Sequence, residues 1–552
     1  MTGILTSCKP RPDLIAGSFN PEVFTASLRQ VMGHYRGDVK VKTTYTDAES
    51  FFGEATSPTH GMKRVVEHVM RRLGGDNMVP FLSRLETGIG GGKTHTLIAC
   101  AHLAHRGTAL ADVAESIGIV SAEHLPKPES VRVVGIAGDE LSVVRSEGDK
   151  VYAYTLWAEL AKQVGGPELL TQVKAEATTP AAPGESFFET VLGGRKVLIM
   201  IDELAQYAAR AEAAHRGMGE QIAAFFMALF NYARNHEGIA IVVTLASSTD
   251  AFAGQTKTLA KLLQAVSGNE ISQDEAREIG EHAVDSIQSV IARDAKVETP
   301  VSSEELSSVL AKRLFVEIDS QAAERASSEY GAFYEKHKDQ LPARCTRVGS
   351  DGGFGGLIKK YYPFHPTLVD FLNKTLATAE DFQGTRGVLR VLAFAVKSIW
   401  ERGLDATTIH TCHLDTTNPD LIGEILSKTE SGELMNVLTA DVGAVRGNGD
   451  TLITETADVV HKRQSESTRE IERRVLDHGC DGVELVRDDV VPETEGFERD
   501  GPAARGRIED GQRLLGDRRI AQKSSVVAVE IFFVDVELAA VWVLDRVPSL
   551  GW

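Results

Sequence analysis

Short, uninterrupted apolar runs alternating with segments of helical spacing organise the first half of the chain. Residues 78–85 (MVPFLSRL), 131–138 (VRVVGIAG), 196–204 (KVLIMIDEL) and 239–248 (IAIVVTLASS) have the length and β-branched content of strands. Between them, KTHTLIACAHLAHRG puts Leu97, Ile98, Ala101 and Ala104 on one helical face and stops at Gly107. VYAYTLWAELAKQV and QIAAFFMALFNYARN predict two further helices. The order is β-α-β-α-β-α-β. With right-handed crossovers it predicts an α/β fold built on a doubly wound parallel sheet. Strands apolar along their whole length, rather than at alternate positions, further predict helices on both faces.

Outside this region the pattern changes. Residues 1–75 read as a helical lead-in to a core at 76–255. From 256 to 435 the sequence is charged and helix-periodic, as in EELSSVLAKRLF (304–315), which predicts a helical accessory or lid region. Within it, GSDGGFGG (349–356) reads as a flexible loop, and residues 361–400 as two amphipathic helices separated by EDFQGTRG. Beyond about 440, Val, Asp, Arg, Glu and Gly dominate and helix caps no longer match the apolar spacing. The tail, 436–552, is expected to be either a small sheet or an out-of-frame or truncated end.

Composition narrows the class. A formal net charge of −19 argues against a protein that coats nucleic acid, which needs an excess of Lys and Arg. The five cysteines are scattered and never spaced C-x-x-C, so neither a disulfide framework nor a zinc ribbon is indicated. HTCH (410–413) has no second pair to complete a metal site. With no signal peptide and no long apolar stretch, a cytoplasmic protein without a membrane segment is expected.

The candidate chemistry lies in ETGIGGGKTH, residues 86–95. A phosphate-binding loop needs a strand, a glycine turn whose backbone N–H groups face the anion, and a helix starting there. All three are predicted here. Thr87 stands where the usual pattern has its first glycine, and Gly88 supplies the turn one residue later. Gly90, Gly91 and Gly92 let the backbone approach the phosphates, Lys93 reaches the β/γ-phosphates, and the Thr94 hydroxyl ligates Mg²⁺. The strand KVLIMIDEL then delivers Asp202 to hold the metal through water and Glu203 to polarise the attacking water. Glu203 directly after Asp202 points to the additional-strand ATPases rather than the GTPases, whose N-K-x-D motif is absent. Thr244, Ser247 and Ser248 close the last strand where a γ-phosphate sensor would sit, with Ser247 taken as the catalytic candidate. Arg386 and Arg390 start the second helix of the 361–400 region, and Arg390 is taken as the lid arginine.

Taken together, DAESFFGEATSPTHGMKRVVEHVMRRL (47–73), ETGIGGGKTHTLIA, VLIMIDEL, VVTLASSTDAF, ARDAKVETPVSSEELSSVLAKRLF and YPFHPTLVDFLN…FQGTRGVLRVLA resemble a family of large prokaryotic P-loop ATPases related to AAA+ proteins. The likeness runs to about residue 400. Members sit in phage-defence gene islands beside DNA methyltransferases and helicases, and their loops read Thr-x-x-Gly-Gly-Gly-Lys-Thr-His, so Thr87 and His95 look like family traits. The resemblance implies Mg-ATP binding and hydrolysis. It also implies protein partners in a defence or restriction-modification complex, contact with DNA, homo-oligomerisation, and Arg293 as a finger acting in trans. Two other readings stay open: a nucleotide-gated interaction switch with negligible hydrolysis, and a truncated, inactive remnant.

Overall fold

The structure, a computed structural model, describes residues 3–424 other than 21–25, 87–90, 148–149, 246–259, 261–263, 265–271, 303–304, 337–352, 373–383, 405, 411–412, 415–417, 419 and 422. The expected tail therefore lies outside the described residues. The chain divides into two compact units, one of residues 20–316 with 383–389, the other of residues 1–19, 317–382 and those from Arg390 onward.

The first unit is built on five parallel strands: β1 (Leu82–Leu85), β2 (Arg132–Ala137), β3 (Val197–Asp202), β4 (Ile239–Thr244) and β5 (Lys296–Glu298), in the spatial order β2-β3-β4-β1-β5. Four of the five are the strands expected from the apolar runs. The fifth, KVE, is short, charged and partly exposed, and sits at the sheet edge, where one row of backbone groups and little apolar burial suffice. The order places β4 between β1, which feeds the glycine turn, and β3, which carries the carboxylates. All the strands point the same way, so Leu85, Ala137, Asp202 and Thr244 end on one edge.

Side chains alternate between two cores. Val197, Ile199, Ile201, Ile239, Ile241 and Val243 face one layer, while Leu198, Met200, Ala240 and Val242 face the other. The second layer contains α1 (Leu28–Arg36), α2 (His60–Leu73) and α3 (Lys93–Arg106); the first contains α4 (Leu156–Gln172), α5 (Leu204–Ala214), α6 (Met218–Asn235) and α7 (Gln273–Asp294). Helix α2 shows why such segments form. Its cap Thr59 accepts from the Met62 N–H, and Met62, Val65, Val66, Val69, Met70 and Leu73 recur every three or four residues and are all buried. Arg72, also buried, points its guanidinium at three carbonyls, Ala233 (2.8 Å), His236 (3.1 Å) and Ile239 (3.3 Å), where α6 gives way to β4.

Two local expectations are corrected. VYAYTLWAELAKQV is not one helix: Lys150–Ala153 pairs antiparallel with Val144–Glu147 as a hairpin, and α4 begins at Leu156 behind the cap Thr155. The β-branched and aromatic residues Val151 and Tyr152 favour the extended state. Likewise the glycine-rich stretch does not stay a loop throughout, because Gly353–Tyr361 is helical. There Ser327 Oγ donates to the Gly355 carbonyl (2.6 Å), and a Cβ at Gly355 would lie 2.7 Å from the Ser327 carbonyl oxygen. Close helix–helix approach explains the small residues better than a mobile turn does.

The second unit contains helices α8 (Ser320–Lys336), α9 (Gly353–Tyr361), α10 (Pro366–Phe371) and the part of α11 (Gly384–Arg402) from Arg390 on, and a buried polar cluster to which α8 contributes Tyr330 and the cap of α10 contributes His365. The rings of His365 and His410 stack 4.0 Å apart, and the Thr408 hydroxyl and the Tyr330 hydroxyl lie 2.9 and 3.2 Å from His410 Nε2. The His410 N–H donates to His413 Nδ1 (2.9 Å).

Candidate functional site

At the strand edge, β1 ends at Leu85 and α3 begins at Lys93, with the glycine-rich stretch between them in the chain. Gly92 caps α3 in the left-handed region (φ 75°), which only glycine adopts freely, and a Cβ there would lie 2.9 Å from Val301 Cγ2. Its carbonyl accepts from both the N–H (2.9 Å) and the hydroxyl (3.0 Å) of Thr96, locking the first helical turn. Lys93 and Thr94 are therefore the first two residues of a helix of fourteen residues, with its N-terminal N–H groups and positive dipole end beside them.

The Thr94 hydroxyl donates to Asp202 Oδ2 at 2.6 Å, joining the start of α3 to the end of β3. The other oxygen, Oδ1, accepts from the Thr244 hydroxyl at 2.6 Å, at the end of β4. Thr244 Oγ1 in turn accepts from the Glu203 N–H at 2.9 Å. Three elements thus converge on a buried aspartate whose two oxygens each take a short charge-assisted bond.

Glu203 occupies the left-handed region itself (φ 49°, ψ 43°) as the cap of α5. A non-glycine residue pays about 1 kcal/mol or more for that conformation, and such residues concentrate at functional sites. Its carboxylate accepts from Gln206 Nε2 at 3.2 Å. Burial, then the charges of Asp202 and Asp139, hold its pKa above the ordinary glutamate value, while Lys93 and the Gln206 bond pull the other way. Burial likewise raises Asp139, just past β2. The backbone of Gly138 lies so close that a Cβ would sit 2.5 Å from the Glu203 carbonyl oxygen and 2.8 Å from that of Asp202.

The structure brings Lys93, Thr94, Asp202 and Glu203 to one place, together with Gly91 and Gly92. Thr87, Gly88, Gly90 and Ser247 lie outside the described residues. Arg390 belongs to the second unit, where it pairs with Glu424 at 3.2 Å. Arg293, near the end of α7, is largely exposed beside Asp294. His95 turns its ring into the lead-in, 4.5 Å from Phe51 between ring centres, with Nε2 3.0 Å from Thr56 Oγ1. It also lines a cavity of about 20 Å³ with Gly92, Met62, Val301 and Arg313, room for about one water molecule. Sequence reasoning missed Gln206, Gly138 and Asp139. Only the i, i+3 spacing of Glu203 and Gln206 on one helix could have signalled the first.

Thr94 and Asp202 offer the hard oxygen donors that suit Mg²⁺, which commonly takes one or two protein ligands and completes its shell from phosphate and water. Among the described residues, no group of three or more His, Cys, Asp or Glu side chains is placed to hold a metal. None of the described helices is long and apolar enough to cross a membrane.

Two family models match the chain in succession: residues 11–273 match the DUF499 N-terminal domain, and residues 302–449 match the DUF499 second domain. The first match spans the parallel sheet through β4 and both sides of the candidate site. No curated protein matches the chain, and no solved structure does.

Proposed function

We propose that this chain binds ATP with Mg²⁺ at the strand edge and hydrolyses it as a P-loop ATPase of the additional-strand, AAA+-like kind. The observation that carries this reading is the Thr94–Asp202 hydrogen bond, which joins a glycine-turn helix to a carboxylate at the end of a strand one removed from β1. A sheet of this order with a strand between the two motifs supports the additional-strand assignment.

Each residue has a task in that reading. The backbone N–H groups of Gly91 and Gly92 and the ammonium of Lys93 bind the β- and γ-phosphates and offset their charge. Thr94 and Asp202 hold Mg²⁺, which when bound acts as a Lewis acid on the phosphate oxygens. Glu203 accepts a proton from water as the water oxygen bonds to the γ-phosphorus and the bond from that phosphorus to the bridging oxygen breaks, leaving ADP and inorganic phosphate. The raised pKa of Glu203 suits a base, since its proton affinity lies closer to working pH. The work done is conformational change in a prokaryotic anti-phage defence or restriction-modification complex, with a DNA methyltransferase or helicase as partner and DNA within reach.

Steady-state hydrolysis of Mg-ATP, with and without duplex DNA, tests this alongside ATP binding for wild type, Lys93→Ala and Glu203→Gln. The expected result is turnover in wild type that is lost in both variants, with binding kept in Glu203→Gln. ATP binding without turnover in wild type would make the protein a nucleotide-gated switch. No binding at all would overturn both and leave an inactive remnant.

A further inference from the structure

We infer that Gln206 is a positioning residue for Glu203, holding its carboxylate toward the Lys93–Asp202 edge through the Nε2–Oε2 hydrogen bond. The inference rests on the reading of Glu203 as the base of ATP hydrolysis. It is carried by where Gln206 sits. Helix α5 is buried along most of its first turns: Leu204, Ala205, Tyr207, Ala208 and Ala209 are sealed in the core. Glu203, Gln206 and Arg210 are the residues between 203 and 210 that are not, and the i, i+3, i+7 spacing puts them on one stripe. That polar stripe starts at the strand edge.

The stripe is cross-linked on both sides. Arg210 Nε donates to the Gln206 carbonyl (3.3 Å), and Arg210 Nη2 donates to the carbonyl of Gly138. Gly138 N–H donates to the Asp202 carbonyl (2.8 Å). The segment after β2 is therefore fixed against α5, and it brings Asp139 into the field of Glu203. A glutamate held by its own backbone at a left-handed position, with Thr244 on its N–H, has only its side-chain torsions left to set. Gln206 is the neighbour that donates to that side chain.

The charged groups facing Glu203 are Asp202 on β3, Asp139 after β2 and Lys93 on α3, with Arg210 facing Asp139. The two aspartates disfavour the carboxylate, while Lys93 and the amide of Gln206 favour it. Without the amide, nothing from α5 holds the carboxylate, and its side-chain torsions are free to turn it from the Lys93–Asp202 edge. The purely structural alternative, that Gln206 caps the helix turn, predicts lower stability with the kcat of the folded protein unchanged.

The test is the split between kcat and KM for Mg-ATP, with the melting temperature of each variant, in wild type, Gln206→Leu, Gln206→Asn and Glu203→Gln. Gln206→Leu should lower kcat by about 10-fold or more near neutral pH, with KM for ATP unchanged. Gln206→Asn keeps an amide but is one methylene too short, so it should behave like Gln206→Leu; it also serves if the leucine variant fails to fold. A wild-type kcat in the folded Gln206 variants, with Glu203→Gln inactive, would overturn the positioning role. Full turnover in Glu203→Gln would instead overturn the underlying reading of Glu203.

Discussion

The polar groups at the strand edge and the histidines of the second unit are assembled on opposite principles: Lys93, Thr94, Glu203 and Gln206 are half-buried, while His365 and His410 are sealed from water. At the edge, ionisable carboxylates are surrounded by hydroxyl and amide donors, with a lysine and a helix N-terminus beside them. In the second unit the ring nitrogens meet neutral hydroxyls and backbone N–H groups, and burial holds His365 down to about 3 and His410 well below the ordinary histidine value. The first cluster gathers carboxylates, hydroxyls and a lysine at a half-buried edge. The second suppresses charge and acts as hydrogen-bonded packing. Burial of polar groups therefore does not by itself mark a site; carboxylates and a lysine gathered at the ends of parallel strands make the better candidate.

Substitutions can break or sharpen that contrast. The largest effect is expected for Asp202→Ala, which removes the acceptor of both Thr94 and Thr244: turnover should fall by on the order of 10²–10³, measured as steady-state phosphate release. Next comes Gly138→Ala, whose Cβ meets two backbone oxygens within 2.8 Å. It should cost about 1–3 kcal/mol, read from the urea midpoint, and an unchanged midpoint would show that the edge is looser than its contacts imply.

The histidine cluster should respond to acid instead. Above about pH 6.5 the rings are neutral folded or unfolded; below it the unfolded chain takes up protons that the buried rings refuse. Stability should fall as pH drops from about 6.5 toward 3, by about 1.4 kcal/mol per unit for each such histidine. His95 and His102 of the first unit, both lowered mainly by burial, add to the wild-type slope. The comparison is therefore between wild type and His365→Asn: melting curves at pH 7 and 5.5 should show a smaller acid loss in the variant, and ATP binding at pH 7 should be the same in both. An altered ATP affinity would erase the division of roles between the two clusters. The smallest change is expected for Thr244→Ser, within about 0.5 kcal/mol because the hydroxyl is kept. Thr244→Val should cost about 1–3 kcal/mol by removing the hydroxyl that bridges Asp202 Oδ1 and the Glu203 N–H, which keep only their 3.2 Å bond to each other.

Much of the first unit was legible because its apolar runs are long enough to read: β1 to β4, α3 and α6 follow from them, as do Lys93, Thr94, Asp202 and Glu203 from their places at strand and helix ends. What escaped was decided by tertiary contact. The strand β5 carries Lys296 and Glu298, a composition that reads as surface helix until a sheet edge is there to pair with it. Gly138 looks like any turn glycine; only the backbone of Glu203 beside it makes it a constraint. Thr244 was visible as a strand end, but its two-sided bond to Asp202 and Glu203 depends on β4 lying next to β3, which no local pattern encodes.

Arg72 has a consequence for the order of events during synthesis. Its guanidinium is made on α2, yet the carbonyls that receive it lie 161, 164 and 167 residues further along. At a ribosomal pace of about 5–20 residues per second, on the order of ten seconds or more separate the donor from its acceptors. Through that interval the arginine stays hydrated and the lead-in helix cannot close over it. The N-terminal segment is therefore made first and finished late, locked only when the strand that carries Thr244 arrives.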